Sequence, residues 1–161
     1  MGKLLDITRK LYPTKSELQD LADRLTKAPK DRINSNRANG VKLKNSTIAS
    51  KRRRGSSTPD TKLRDTGELV RDIRNKVKKD MISVGNTSKK HSLAKRTSKR
   101  RWKKGRSGKK LTMAQIGKIH NEGNGVPRRS YLFPKRGKIF KEESQIILDW
   151  HNERSKKIFG S

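Results

Sequence analysis

Cysteine is absent from this sequence, so neither disulfides nor thiolate-bound metal can hold the fold, and packing or oligomerisation must do so. Apolar residues are scarce. Of the 161 residues 28% are hydrophobic and 4% aromatic, which limits the chain to a single domain with a small core. The longest aliphatic run is Ile146-Ile147-Leu148, so neither a membrane span nor a strongly apolar interfacial helix is expected. Acidic residues are few as well: 15 stand against 44 Lys and Arg, a formal charge of +29. A chain so charged repels itself at low salt and calls for a polyanionic partner, nucleic acid before acidic protein. Met1-Gly2 opens like a myristoylation signal, but Asp6 stands where Ser or Thr is required. No secretory signal follows, so the expected location is inside a cell, or inside one before release in a particle.

What is present reads as α+β. Leu4, Ile7 and Leu11 fall at helical spacing before Pro13 interrupts. Thr14 and Glu17 then form a capping-box pattern, and Leu18, Leu21, Ala22 and Leu25 place one apolar stripe on a helix. From about Pro29 to Leu63 the apolar period vanishes, while Asn, Gly and Ser surround the run Lys51-Arg52-Arg53-Arg54. That predicts a basic arm over about 30–62, with too little apolar surface to offset its ordering entropy. Leu69, Ile73 and Val77 recur every four residues and suggest a short helix, with a twisted strand as the alternative. Ile82 and Val84 predict a strand ended by Gly85-Asn86.

A second basic insertion occupies about 86–110. It carries Lys99, Arg100, Arg101, Lys103, Lys104 and Arg106 around the lone Trp102, with no acidic residue, and is expected to project as a loop or hairpin. Thr112 with Gln115 forms a second capping box, flanked by Leu111 and Ile116 at staple positions, and Gly123 supplies the helix stop. Ser130-Tyr131-Leu132-Phe133 reads as a short strand stopped by Pro134, with Pro127 leading into it. Phe140, Ile147, Trp150 and Ile158 mark a closing helix. The predicted architecture is a small antiparallel sheet flanked by N- and C-terminal helices, with long basic loop insertions.

Catalytic patterns do not emerge. His91, His120 and His151 are widely separated and no carboxylate lies at ligand spacing from them, so no metal or other cofactor is expected. Gly105-Arg106-Ser107-Gly108-Lys109-Lys110 lacks the spacing, the preceding strand and the terminal Ser or Thr of a phosphate loop. No nucleophile elbow or paired-carboxylate frame is present, and the expectation is a protein that is not an enzyme. The basic runs are of one sign and lack helical period, which favours sequence-independent phosphate contact over a merely solvated face. On this reading Lys51, Arg52, Arg53, Arg54, Lys99, Arg100, Arg101, Lys103, Lys104 and Arg106 contact DNA or an acidic partner.

Two stretches carry a family resemblance: Leu63-Arg64-Asp65-Thr66-Gly67-Glu68-Leu69-Val70-Arg71-Asp72-Ile73, and Ile119-His120-Asn121-Glu122-Gly123 followed by Val126-Pro127-Arg128-Arg129-Ser130-Tyr131-Leu132-Phe133. With Ser83-Val84-Gly85 between them, they resemble the phage virion morphogenesis or tail-completion proteins, in order and approximate spacing, from Leu63 to about Phe159. The 86–110 insertion is more basic than usual for that family, and the segment before Leu63 matches poorly. The resemblance implies a small α+β subunit that assembles with copies of itself into a ring, typically hexameric, at the head-proximal end of a tail. Its partners would be the tail tube, neck or connector proteins, and genomic DNA passing through the lumen. Its place would be the virion, and the host cytoplasm during assembly.

Thr66, Gly67, Leu69, His120, Gly123, Pro127, Arg128 and Arg129 are the matched positions and possible interface residues. Gly67, Gly85 and Gly123 are expected at turns or helix ends; Leu69, Ile73, Ile119, Tyr131, Leu132 and Phe133 in the core. Arg128 and Arg129 are expected at a subunit or DNA contact, or paired with Glu122 or Asp149. The competing class is a sequence-nonspecific nucleic-acid-binding protein of ribosome-associated or nucleoid type, with a nuclease or its accessory subunit weaker still.

Overall fold

The computed structural model describes residues 11–38, 40–64, 66–89, 111–134 and 138–160. Most of the expected helix over Leu4–Leu11, and the insertion over 90–110 with Trp102, lie outside them. Helix α1 spans Lys15–Asn34. Its capping box is complete: the Glu17 amide donates to Thr14 Oγ1 at 3.2 Å, and the Thr14 amide to Glu17 Oε2 at 2.7 Å. The carboxylate of Glu17 is held below its ordinary value first by that backbone donor.

The helix runs through Pro29 rather than ending before it. A proline here forfeits a backbone hydrogen bond at a cost of about 3 kcal/mol. The buried stripe continues past it, however, through Thr26, Pro29, Arg32 and Ile33, and that burial opposes the loss.

The predicted basic arm is also more ordered than expected. Helix α2 covers Asn45–Arg53 within it, and its order comes from side chains bonding backbone rather than from apolar burial. Lys51 is buried, and its ammonium donates to the carbonyls of Thr58 and Thr61 at 3.2 and 2.7 Å. Lys62 reaches the carbonyl of Ala38 at 2.7 Å, and Asn36 Oδ1 accepts the Lys62 amide at 3.0 Å. Such bonds leave no periodic trace in a sequence.

Helix α3, Glu68–Arg71, is one turn long and passes into strand β1, Ile73–Lys78. The four-residue recurrence of Leu69, Ile73 and Val77 thus spans two elements: it is not one helix, and the strand alternative holds from Ile73 to Lys78. Strand β2, Met81–Asn86, pairs with β1 antiparallel, from Ile73 opposite Asn86 to Lys78 opposite Met81. Helix α4 covers Met113–Glu122 and α5 covers Lys141–Phe159. The chain is α+β, with a two-stranded antiparallel sheet flanked by N- and C-terminal helices.

Helix α1 packs on the inner face of the hairpin and along α5, while α4 packs on β2. The core gathers Ile33, Ala38, Leu69, Val70, Ile73, Met113 and Tyr131, with Leu63, Val84, Ile116 and Leu132 around it. Ser130–Phe133 forms no strand. The amides of Tyr131, Leu132 and Phe133 turn instead to one side chain, Asn121.

Packing is tight where α4 crosses Tyr131. A Cβ on Gly117 would lie 2.5 Å from Tyr131 Oη and 2.7 Å from Asn86 Oδ1. Those two atoms are hydrogen-bonded to each other at 2.6 Å, and Tyr131 is fully buried. Gly117→Ala is therefore expected to destabilise the fold by about 1–3 kcal/mol through overpacking. Urea denaturation checks this, and Gly117→Ala combined with Tyr131→Phe should recover part of the loss.

Candidate nucleic-acid interface

The hairpin separates two kinds of side chain. Alternation along β1 directs Ile73, Asn75 and Val77 inward and Arg74, Lys76 and Lys78 outward, where all three cations are exposed. The inward set is unusual in containing Asn75, which donates to Asp23 Oδ1 at 2.7 Å and Thr26 Oγ1 at 3.0 Å and accepts from Gln19 Nε2 at 3.0 Å. These bonds stitch β1 to α1, so the outer cations stand on a fixed strand. Opposite them on β2 lie Gly85, Ser83 and Met81 respectively. Among the described residues, Arg74, Lys76 and Lys78 have no carboxylate within ion-pair distance. Lys79 and Asp80 form the two-residue turn, with Lys79 at φ 49°.

Beyond β2 the chain enters the basic insertion from a fixed base. The Met113 amide donates to the Lys89 carbonyl and the Ala114 amide to the Thr87 carbonyl, each at 2.8 Å. Thr87 is itself pinned, because its amide and hydroxyl donate to the two oxygens of buried Asp72 at 2.7 and 2.6 Å. The two ends of the described chain here, at Lys89 and Met113, are thus tied together, and the sequence between them, 90–110, has eleven Lys and Arg and no acid. Lys99, Arg100, Arg101, Lys103, Lys104 and Arg106 lie outside the described residues.

The other expected contact residues divide. Lys51 is buried against the loop after α2 and does not face a partner. Arg52 is exposed and lies 3.6 Å from Asp60. Arg53 and Arg54 are exposed, with Arg54 Nε donating to the Ser50 carbonyl at 3.3 Å.

The motif positions build one internal scaffold. Thr66 accepts Arg71 Nη2 on its carbonyl at 2.9 Å, Gly67 takes φ 74° as the N-cap of α3, and Leu69 is buried. Gly123 takes φ 81° at the end of α4, as a helix-stopping glycine should. Gly85 differs from expectation: it lies within β2 and its φ is not positive.

Arg128 is exposed, yet its guanidinium donates to the Asn121 carbonyl at 3.1 Å, to Ser130 Oγ at 3.0 Å and to the Pro134 carbonyl. Arg129 is buried, and neither arginine pairs with Glu122 or Asp149 among the described residues. Burial, and then the charge of Arg129, holds the His120 imidazole below its ordinary value. His120 Nδ1 and Arg129 Nε find no hydrogen-bond partner among the described residues. Pro127 is exposed and leads into a loop instead of a strand.

The residue that sequence reasoning passed over is Asn121. It is fully buried; its Oδ1 accepts the amides of Tyr131, Leu132 and Phe133 at 3.1, 3.1 and 3.4 Å, and its Nδ2 donates to the Phe133 carbonyl at 3.3 Å. Its only signal was a polar amide in the last turn before Gly123, between His120 and Glu122.

A cleft of about 220 Å³ between α1 and α5 is lined by Ser16, Glu17, Asp20, Trp150, Glu153, Arg154 and Lys157. Its charges are engaged across the helices, with Arg24 bridging Asp20 and Glu153 and Arg154 facing Glu17. Among the described residues no group of three or more His, Asp or Glu is placed to hold a metal ion, and no helix is long and apolar enough to cross a membrane. What the described residues offer chemically is a row of exposed cations on a strand held to α1. No protein-family model, curated protein or solved structure matches this chain.

Proposed function

We propose that this chain is a non-catalytic assembly subunit of a tailed bacteriophage, a tail-completion or tail-terminator protein that forms a ring where tail meets head. One observation carries the reading. The separate segments that resemble the tail-completion proteins pack together: Leu69 and Ile73, Val84, Tyr131 and Leu132 share a core, and Asn121 accepts the Tyr131 amide at 3.1 Å. Asn86 links them further, donating to the Leu69 carbonyl at 2.9 Å and accepting from Tyr131 Oη. A single small subunit of this kind needs its segments to share one core. The charge supports the same reading, since a ring around a genome can neutralise its lumen-facing cations on DNA. Virion and host cytoplasm would be its locations, and the tail tube, the neck and further copies of itself its partners.

The experiment is electron microscopy of the purified protein, alone and mixed with tails of its virus. Rings of uniform diameter, free or capping tail ends, are the expected result. Monomers that ignore tails yet bind DNA or RNA would overturn it in favour of a nucleoid-type or ribosome-associated protein, a reading to which the exposed cations of β1 also lend themselves.

A further inference from the structure

We propose that the outer face of the β1–β2 hairpin binds the phosphate backbone of double-stranded DNA without reading sequence, through Arg74, Lys76 and Lys78 laid along a strip floored by Ser83 and Gly85. Three cations two residues apart on one strand stand about 6.6–6.8 Å from each other. That is a straight, evenly spaced row of like charge, matched to a polymer whose own charges repeat evenly. A folded acidic protein offers carboxylates at irregular spacing and fits it less well.

Gly85 supplies an independent observation. A glycine within a strand weakens it, and is retained where the backbone needs positive φ, where packing leaves no room, or where another chain approaches closely. Gly85 has no positive φ, and among the described residues a Cβ built on it meets nothing within 4 Å. The fold therefore does not require a glycine opposite Arg74. Of the three reasons, close approach of a partner to the outer face is the one left. Ser83, opposite Lys76, keeps the same strip low. The strip ends at Asn86, and Thr87 just beyond it is pinned to Asp72, so this end of the hairpin is held in place.

The test titrates the full-length protein into a labelled DNA duplex of arbitrary sequence and follows anisotropy across salt. Converting Arg74, Lys76 and Lys78 together to Gln is expected to reduce the slope of log K against log salt by about 2.7 and to weaken binding about a hundredfold near 0.15 M salt, the share of three phosphates. Gly85→Thr is expected to leave the melting temperature unchanged or raised, because Thr suits a strand. It should weaken binding about fivefold, as for one lost phosphate contact.

Should the triple variant fail to fold, Lys76→Gln alone decides, with an expected slope change of about 0.9. An unchanged slope in a folded variant overturns the proposal, as does loss of binding to an acidic polypeptide while duplex binding stays intact. Rings are scored by microscopy on the same samples. Rings without a slope change would overturn this proposal alone, whereas a slope change in a chain that never forms rings would overturn the assembly reading alone.

Discussion

Asn121→Ala is expected to destabilise the protein by about 3 kcal/mol, a large share of the 5–15 kcal/mol by which domains are usually stable. The arithmetic follows from what is left behind. The Tyr131 amide lies in a buried setting and has Asn121 Oδ1 as its acceptor, and stranding a buried donor costs about 1–3 kcal/mol. The amides of Leu132 and Phe133 are partly buried and add less, since water can reach them. Alanine also leaves a small void beside a fully buried tyrosine.

Asn121→Asp separates the hydrogen bonds from the packing. It keeps the accepting oxygen, which favours a carboxylate facing several amides, and loses only the donor to Phe133. Its loss should be the smaller of the two in urea denaturation at neutral pH. Equal losses would show that the donor or the volume matters, and not the three accepted amides.

Asn121 also shows which parts of this protein a sequence can disclose. Signals confined to one turn of chain were legible: Thr14 with Glu17 and Thr112 with Gln115 are complete capping boxes, and Gly123 ends α4 in the left-handed region. Both capping patterns need only residues three apart. The strand at Met81–Asn86 was legible through Ile82 and Val84.

Order that rests on a polar side chain bonding a distant backbone was not legible. Lys51 on Thr58 and Thr61, Lys62 on Ala38 and Asn121 on Tyr131–Phe133 each look in sequence like a solvated polar residue. Asn75 hid β1 in the same way, by placing an amide where alternation asks for an apolar residue. With the strand only an alternative to a helix over Leu69–Val77, Arg74, Lys76 and Lys78 never appeared as one face. Cations next to each other in sequence, such as Lys51–Arg54, attract notice. Cations next to each other in space across a pleat do not.

Arg32→Met should bring the largest loss of all, about 3–5 kcal/mol, by removing one member of a buried ion cluster. Arg32 is only 3% exposed, and its guanidinium donates to the Tyr131 carbonyl at 2.5 Å, to Glu142 Oε2 at 2.7 Å and to Glu143 Oε1 at 2.8 Å while lying 3.7 Å above the Phe140 ring. Without it, the nearly buried carboxylate of Glu143 loses its counter-charge. Removing both charges should hurt less than removing one, so Arg32→Met with Glu143→Leu is expected to recover most of the loss. Arg32→Lys should not rescue, because a single ammonium cannot reach three acceptors or lie flat on a ring. Glu142, about half exposed, should matter by less than about 1 kcal/mol. A loss below 1 kcal/mol for Arg32→Met would sink the argument. The cluster fixes α5 to the end of α1 through charges that salt screens weakly, whereas the outward cations of the hairpin are screened strongly. The fold should therefore persist across the salt range in which its DNA binding is expected to vanish.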